Sequence, residues 1–329
     1  MIDMGKIHSG IFVLLILALA SGCGNKDVVT LSYEERGEGK HIYIPVTIGG
    51  EKYDFIFDTG SDGSVLDYPV AWKSGIRPTH KALQRSNYSL TKEFKDDVYF
   101  ATKDIYIGKM KFDSVMLHLD HYNHSLIADF WGMDHDGILG TKEIESKNWL
   151  FDLESKTVTI SNKPIRESRI KSPLALCLDV NPDYSNMNVD ILLNDSLLKT
   201  FLFDTGYPGR VSVIFNDKAY PMRFGVSIAD SLRSIVQTIT PLDSIALLAD
   251  RLKINNLSLD SLVILIADRY EEKIAPETSY KFLNFIGLSF LDYFRYMLYD
   301  SRARQIRFYG YHANNQGEKD FIKALKRKE

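Results

Sequence analysis

The sequence predicts an all-β protein built as two similar lobes with a cleft between them. Three observations carry that reading. Phe55-Ile56-Phe57-Asp58-Thr59-Gly60 returns as Phe201-Leu202-Phe203-Asp204-Thr205-Gly206, so that Asp58 and Asp204 stand 146 positions apart. Two further landmarks follow each motif in the same order. Asp136-Gly137-Ile138-Leu139-Gly140 is answered by Asn284-Phe285-Ile286-Gly287, and Leu150-Phe151-Asp152 by Leu298-Tyr299-Asp300. Finally, 18 Tyr and 18 Phe favour pleated, half-buried surfaces, and no long stretch has a clean helical period. One Asp-Thr-Gly is expected by chance on the order of 0.1 times in such a chain. Two copies in matched contexts are not explained that way.

The elements follow in order. Residues 43–48 read as a strand, Gly49-Gly50 as a tight hairpin turn and 53–57 as the return strand that delivers Asp58. The hairpin repeats, 46–57 against 192–203, with Asn194-Asp195 near its turn. Short strands are expected over 97–102, 105–107 and 114–119, and short helical connectors over 69–74 and 230–237. Each repeat ends on a polar turn and a closing strand, 157–160 and 305–309. This places a first lobe over 31–165, a linker containing Lys163-Pro164, and a second lobe over 170–312. The tail, 313–329, is polar and charged. Its Phe321-Ile322 and Leu325 fit one helical turn, expected to be solvated or weakly docked.

Composition bounds the function. A hydrophobic share of 45% and a charged share of 25% are those of a globular chain. A net charge of −3 with mixed signs gives no basic face for nucleic acid. The two cysteines, Cys23 and Cys177, supply no disulfide framework; Cys177, in an apolar run, is expected to be a small buried core residue. At the N-terminus, Lys6 precedes an apolar run from Ile11 to Ala20, too short to span a bilayer but suited to a signal. The run closes on Ala20-Ser21-Gly22-Cys23. This resembles a bacterial lipoprotein lipobox. The resemblance implies a signal over 1–22, cleavage before Cys23, lipidation of its thiol and a tether over 23–30. The chain is then expected in the bacterial cell envelope, on the periplasmic face or the cell surface, anchored to a membrane by acyl chains.

A carboxylate directly after an apolar strand is costly unless it is paired or used. Gly60 and Gly206 permit turns and close approach that a Cβ would block. Two lobes related by a pseudo-twofold bring Asp58 and Asp204 together, where the carboxyls share one proton. The charged one then serves as general base on a water, and the protonated one donates to a scissile carbonyl.

With these motifs the chain resembles the aspartic peptidases, and most the retropepsin-like and pepsin-like group in its two-lobe, single-chain form, over nearly all of the mature chain. The resemblance implies a peptide or protein substrate, a monomer with an intramolecular dyad, no cofactor and no metal. It gives Thr59 and Thr205 the task of gripping the opposite loop. Segments ending in Gly140 and Gly287 are to pack beneath the aspartate loops, and the Ser61 hydroxyl is to hydrogen-bond its aspartate. The second motif departs: Tyr207-Pro208 stands where the family carries Ser or Thr. One hydrogen bond to Asp204 is expected to be lost, raising the dyad's pKa and giving a less acidic pH optimum than a digestive pepsin. An aromatic flap residue is sought in 85–107, with Tyr99 favoured over Tyr88.

Competing signals are weaker. His118, His121 and His124 space as H-x-x-H-x-x-H with His135 beyond, but their segment reads as loop and nothing matches HExxH. No G-x-S-x-G and no phosphate-binding glycine loop is present. The alternative to an endopeptidase is a catalytically degenerate envelope lipoprotein of the same fold that holds peptides or partner proteins. Tyr207 keeps that alternative open.

Overall fold

The computed structural model describes residues 27–37, 39–88, 93–120, 134–195, 197–214, 226–227, 244–267 and 284–312. The signal, Cys23, His121, His124, the connector expected over 230–237 and the tail with Phe321, Ile322 and Leu325 lie outside the described residues.

The chain is all-β and bilobal, and the strands among the described residues gather into three sheets. Strand β1 (Val28–Ser32) is followed by β2 (Glu34–Arg36), β3 (His41–Ile48), β4 (Glu51–Phe57) and β5 (Val65–Asp67). A one-turn-and-a-half helix, α1 (Tyr68–Lys73), then leads to β6 (His80–Tyr88), β7 (Glu93–Ile107), β8 (Met110–Asp120) and β9 (Gly137–Leu139). Strands β2 to β9 form an eight-stranded sheet in the order β2-β3-β4-β9-β5-β8-β7-β6, and a further β3–β7 pairing curls it on itself. Helix α2 (Thr141–Glu145), β10 (Asn148–Asp152) and β11 (Thr157–Ser161) complete the first repeat.

The second repeat follows the same plan with β12 (Leu174–Asp179), β13 (Asn188–Leu193), β14 (Leu197–Asp204), β15 (Val211–Ile214), β16 (Val226–Ser227), β17 (Ser244–Ile254), β18 (Leu257–Ala267) and β19 (Asn284–Gly287). Its seven-stranded sheet runs β13-β14-β19-β15-β18-β17-β16 and is curled by β13–β17. A 3-10 helix, Leu288–Tyr293, takes the place of α2, and β20 (Tyr296–Asp300) and β21 (Gln305–Tyr309) close the repeat.

The third sheet belongs to both lobes: β1-β11-β10-β20-β21-β12. At its middle β10 pairs antiparallel with β20, with Leu150 opposite Leu298. Those two leucines are the matched landmarks of the repeat, so the pseudo-twofold passes between them. Trp149 opposite Tyr299 and Phe151 opposite Met297 obey the same symmetry. Above this seam one continuous apolar core runs from lobe to lobe, with Phe57 packed on Phe151 (4.9 Å) and Phe203 on Phe308 (5.9 Å). Each such ring is worth about 1.5–3 kcal/mol of burial, which explains why Phe-apolar-Phe precedes both aspartates.

The hairpin turns obey local chemistry. Gly49 and Gly50 take φ of +61° and +93°, and Asn194 and Asp195 meet the same need at +46° and +59°. Several sequence expectations are corrected. Residues 97–102 and 105–107 are one strand, β7; the Lys103-Asp104 polar pair sits at a register shift inside it, where Asp104 Oδ1 accepts the Ser114 N–H at 2.9 Å. Residues 28–30, read as the end of the tether, belong to β1, because Val-Val-Thr-Leu-Ser pairs along β11. Cys177 is only half-buried: on β12 it alternates with buried Leu176 and Leu178 and lies opposite Arg307.

Candidate active site

The two aspartate loops are set by strand order. Strand β4 lies parallel to β9 and β14 parallel to β19, while β5 and β15 return antiparallel along the same two strands. Each aspartate loop is therefore crossed from beneath. The Asp58 N–H donates to Leu139 O at 3.1 Å and the Thr141 N–H to Ser61 O at 2.8 Å. In the second lobe Gly287 N–H donates to Arg210 O and Leu288 N–H to Tyr207 O, both at 2.7 Å. Gly140 lies against the Gly63 backbone and Gly287 against that of Gly209, too close in each case for a Cβ.

Thr59 and Thr205, both buried, cross between the lobes. Thr59 N–H donates to Thr205 Oγ1 at 3.1 Å and Thr205 N–H to Thr59 Oγ1 at 3.0 Å. Each hydroxyl then donates onward, Thr59 Oγ1 to Phe203 O at 2.5 Å and Thr205 Oγ1 to Phe57 O at 2.7 Å. Every partner is matched donor to acceptor, which a hydroxyl alone among small side chains allows.

This crossing brings Asp58 and Asp204 side by side, each acting on the other's proton affinity. A Cβ on Gly60 would stand 2.5 Å from both Asp204 carboxyl oxygens, and one on Gly206 would stand 2.6 Å from Asp58 Cγ. Within its own loop each carboxylate accepts two backbone N–H groups. Asp58 Oδ1 takes Gly60 (2.8 Å) and Ser61 (3.2 Å); Asp204 Oδ1 takes Gly206 (2.8 Å) and Tyr207 (3.0 Å). Each aspartate keeps some accessible surface, yet dense surroundings decide its charge. Burial pushes Asp58 above the usual carboxylate range against the pull of the Gly60 N–H. Burial, and next the charge of Asp58, push Asp204 well above it. Two full charges even 4 Å apart would repel by about 4 kcal/mol at an effective dielectric of ~20. Carboxyls so close and so buried favour the state in which only one of them is charged.

One expectation is overturned. The Ser61 hydroxyl does not bond Asp58; it donates to Gly63 O at 2.9 Å, and only the Ser61 N–H reaches the carboxylate. The first loop therefore has no hydroxyl bond for Tyr207 to lack. The Tyr207 ring lies over Gly209 and Gly287, with Phe285 at 5.3 Å, and burial followed by the charge of Asp204 raises its phenol. The raised proton affinity of the dyad has burial and mutual repulsion as its causes, not a missing side-chain donor.

Tyr99 lies on β7 opposite Lys81, well back along the β6–β7 ladder from its Tyr88–Glu93 pair. Its ring packs on Tyr68 of α1 at 5.7 Å, so it belongs to the base of the hairpin rather than its tip. His118 lies on β8 with its ring on Phe100 at 4.7 Å, and His135 is buried just before β9.

The structure adds four residues that the sequence reading missed. His41 is fully buried at the start of β3 and its Nε2 meets Gly206 O at 3.1 Å. Asn186 of the second lobe donates from Nδ2 to Gly60 O at 3.1 Å. Glu143, buried on α2, accepts the Ser64 hydroxyl at 2.5 Å, while Gly140 N–H donates to that hydroxyl at 3.1 Å. At the position matching Ser64 stands buried Arg210, which donates to Tyr293 OH at 2.6 Å and lies over that ring. A histidine opening an apolar strand, and an arginine directly before Val-Ser-Val-Ile-Phe, were the available signals.

Residues 44–142 match the family model described as aspartyl protease. Over this stretch the first lobe is similar to aspartyl proteases. The match covers Asp58, Thr59, Gly60 and the segment through Gly140, and stops before the second motif. It supports a protease function for the chain. No match among the curated proteins accompanies it.

Proposed function

We propose that this chain is an aspartic-type endopeptidase in which Asp58 and Asp204 together activate one water against a peptide bond. The observation that carries the reading is the crossing of Thr59 and Thr205. It joins two loops 146 residues apart into one site, with Gly60 against the Asp204 carboxyl and Gly206 against that of Asp58. In the singly protonated pair, the ionised carboxylate takes a proton from the water as it attacks the scissile carbon. The protonated carboxyl donates to the carbonyl oxygen, and the proton passed to the pair goes on to the leaving amine. Both carboxyls return to their starting state, and no covalent intermediate is formed. The substrate is a peptide or protein segment held between the lobes of a monomer. Lipid on Cys23 holds the enzyme to a membrane of the bacterial cell envelope.

The test is digestion of a diverse peptide pool by the full chain, purified in detergent, from pH 3 to 8. Asp58→Asn and Asp204→Asn are each expected to lower kcat/KM by about a thousandfold or more, in the range of general acid–base losses. Cleavage that survives in either variant would sink the reading. A second reading, a peptide-holding protein without turnover, draws on the Tyr207 ring beside Asp204. It predicts folded wild-type protein that cuts nothing yet retains peptide as well as both variants do.

A further inference from the structure

The loops that carry the aspartates are each touched from the opposite lobe, and in the same way. The Gly206 carbonyl can only accept, so His41 Nε2, 3.1 Å away, carries a proton and donates it. The same peptide unit then presents its N–H, that of Tyr207, to Asp204 Oδ1 at 3.0 Å. On the other side Asn186 Nδ2 donates to Gly60 O at 3.1 Å, and that peptide's N–H, from Ser61, reaches Asp58 Oδ1 at 3.2 Å. Each peptide plane is thus polarised at its oxygen by one lobe and spends its hydrogen on the carboxylate of the other.

We infer that His41 and Asn186 are positioning residues that tune the dyad across the lobe interface, each strengthening through one peptide unit a hydrogen bond to the opposite lobe's aspartate. This rests on Asp58 and Asp204 acting as one dyad. The physical basis is cooperativity: a donor placed on a carbonyl sharpens the N–H of the same amide by roughly 10–30% per bond. His41 acts as a neutral imidazole. Its Nδ1 is buried without a hydrogen-bond partner among the described residues, so a second proton there would be unsolvated. Burial also lowers its proton affinity. The titratable groups around the two relays are His135 beside His41, the Tyr207 phenol beside Asp204, and Asp62, which accepts from Ser185 next to Asn186.

The test reads the dyad's proton directly, by isotope-edited infrared titration of the full chain labelled at the aspartate carboxyls, with Asp204→Asn as the subtraction control. His41→Leu and Asn186→Ala are each expected to raise the apparent pKa of the dyad by about 0.3 unit, since the charged form loses donor strength. His41→Gln places an amide N–H where Nε2 was and is expected to keep the wild-type value. In peptide cleavage the kcat/KM profile should move toward alkaline pH by the same amount with KM unchanged, which a merely structural loss would not produce. Asn186 is only half-buried, so its variant decides the matter if His41→Leu does not fold. Unchanged titration in Asn186→Ala, or a His41→Gln shift as large as that of His41→Leu, overturns the relay. A coupled dyad that responds as expected but cuts no peptide overturns the protease reading and supports the relay. Carboxyls that titrate separately near the ordinary value of about 3.9 overturn both.

Discussion

Laid over one another, the loop from Asp58 to Val65 and the loop from Asp204 to Val211 agree in backbone hydrogen bonding and differ at three side chains: Ser61, Asp62 and Ser64 in the first stand as Tyr207, Pro208 and Arg210 in the second. Under the first, Ser64 bridges Gly140 and buried Glu143; under the second, Arg210 leans on Tyr293, with Asp292 3.9 Å from its guanidinium. Yet both carboxylates accept the same two N–H groups at nearly the same lengths. The main chain sets the charge environment of the site. The side chains underneath are free to diverge as long as each lobe fills its own floor.

Variants that break the shared backbone plan should hurt both loops equally and most. Gly60→Ala and Gly206→Ala each drive a methyl into the opposite carboxyl, and either is expected to abolish peptide cleavage in a folded protein. Next come Thr59→Val and Thr205→Val. Each strands a buried N–H and a buried carbonyl, for about 2–4 kcal/mol in denaturant unfolding. The double variant should lose less than the two singles together, because both remove one network.

A smaller effect concerns pH. The dyad's carboxyls have raised pKa in the folded state, so their protonated forms favour folding. The stability they lend is complete below the unfolded value of about 3.9 and is lost as pH rises through the folded values. Asp204→Asn should therefore unfold at a higher temperature than wild type at pH 7, and that gain should vanish near pH 4. His135 runs the other way: burial lowers it to about 4, so its contribution is held above about 6.5 and lost on acidification. It is common to both proteins and cancels in the difference. Smallest of all, Tyr207→Ser makes the second loop resemble the first. It should cost stability through the lost contact with Phe285 but move the dyad's titration by less than about 0.2 unit, because no hydroxyl reaches Asp58 in the first lobe. A larger shift would show that the side chains at 61 and 207 do reach the carboxylates.

Much of this was legible in the chain. The doubled Phe-apolar-Phe-Asp-Thr-Gly and its landmarks located both loops, because a duplicated architecture repeats in register and glycines are held where backbones touch. Leu150 and Leu298, noted as matched landmarks, prove to be opposite each other on the pseudo-twofold. What stayed hidden was set by contacts between distant residues. Nothing local to Ser61 says that its hydroxyl turns to Gly63 rather than to Asp58. Nothing near His41 points to a carbonyl 165 residues away. Strand β1 was hidden for the opposite reason: its five residues are short and half-exposed, and only the pairing with β11 makes them a strand.

The seam between β10 and β20 has a consequence for the order of events in folding. It joins residues nearly half the chain apart, and such long-range pairings form late and slowly. The first lobe supplies Asp58 alone, and its loop meets the second only where Thr59 reaches Thr205. A second lobe must close on it before there is a pair to share a proton. A chain built this way keeps its two aspartates apart while it is being made: they become neighbours only once residues nearly half the chain apart have met.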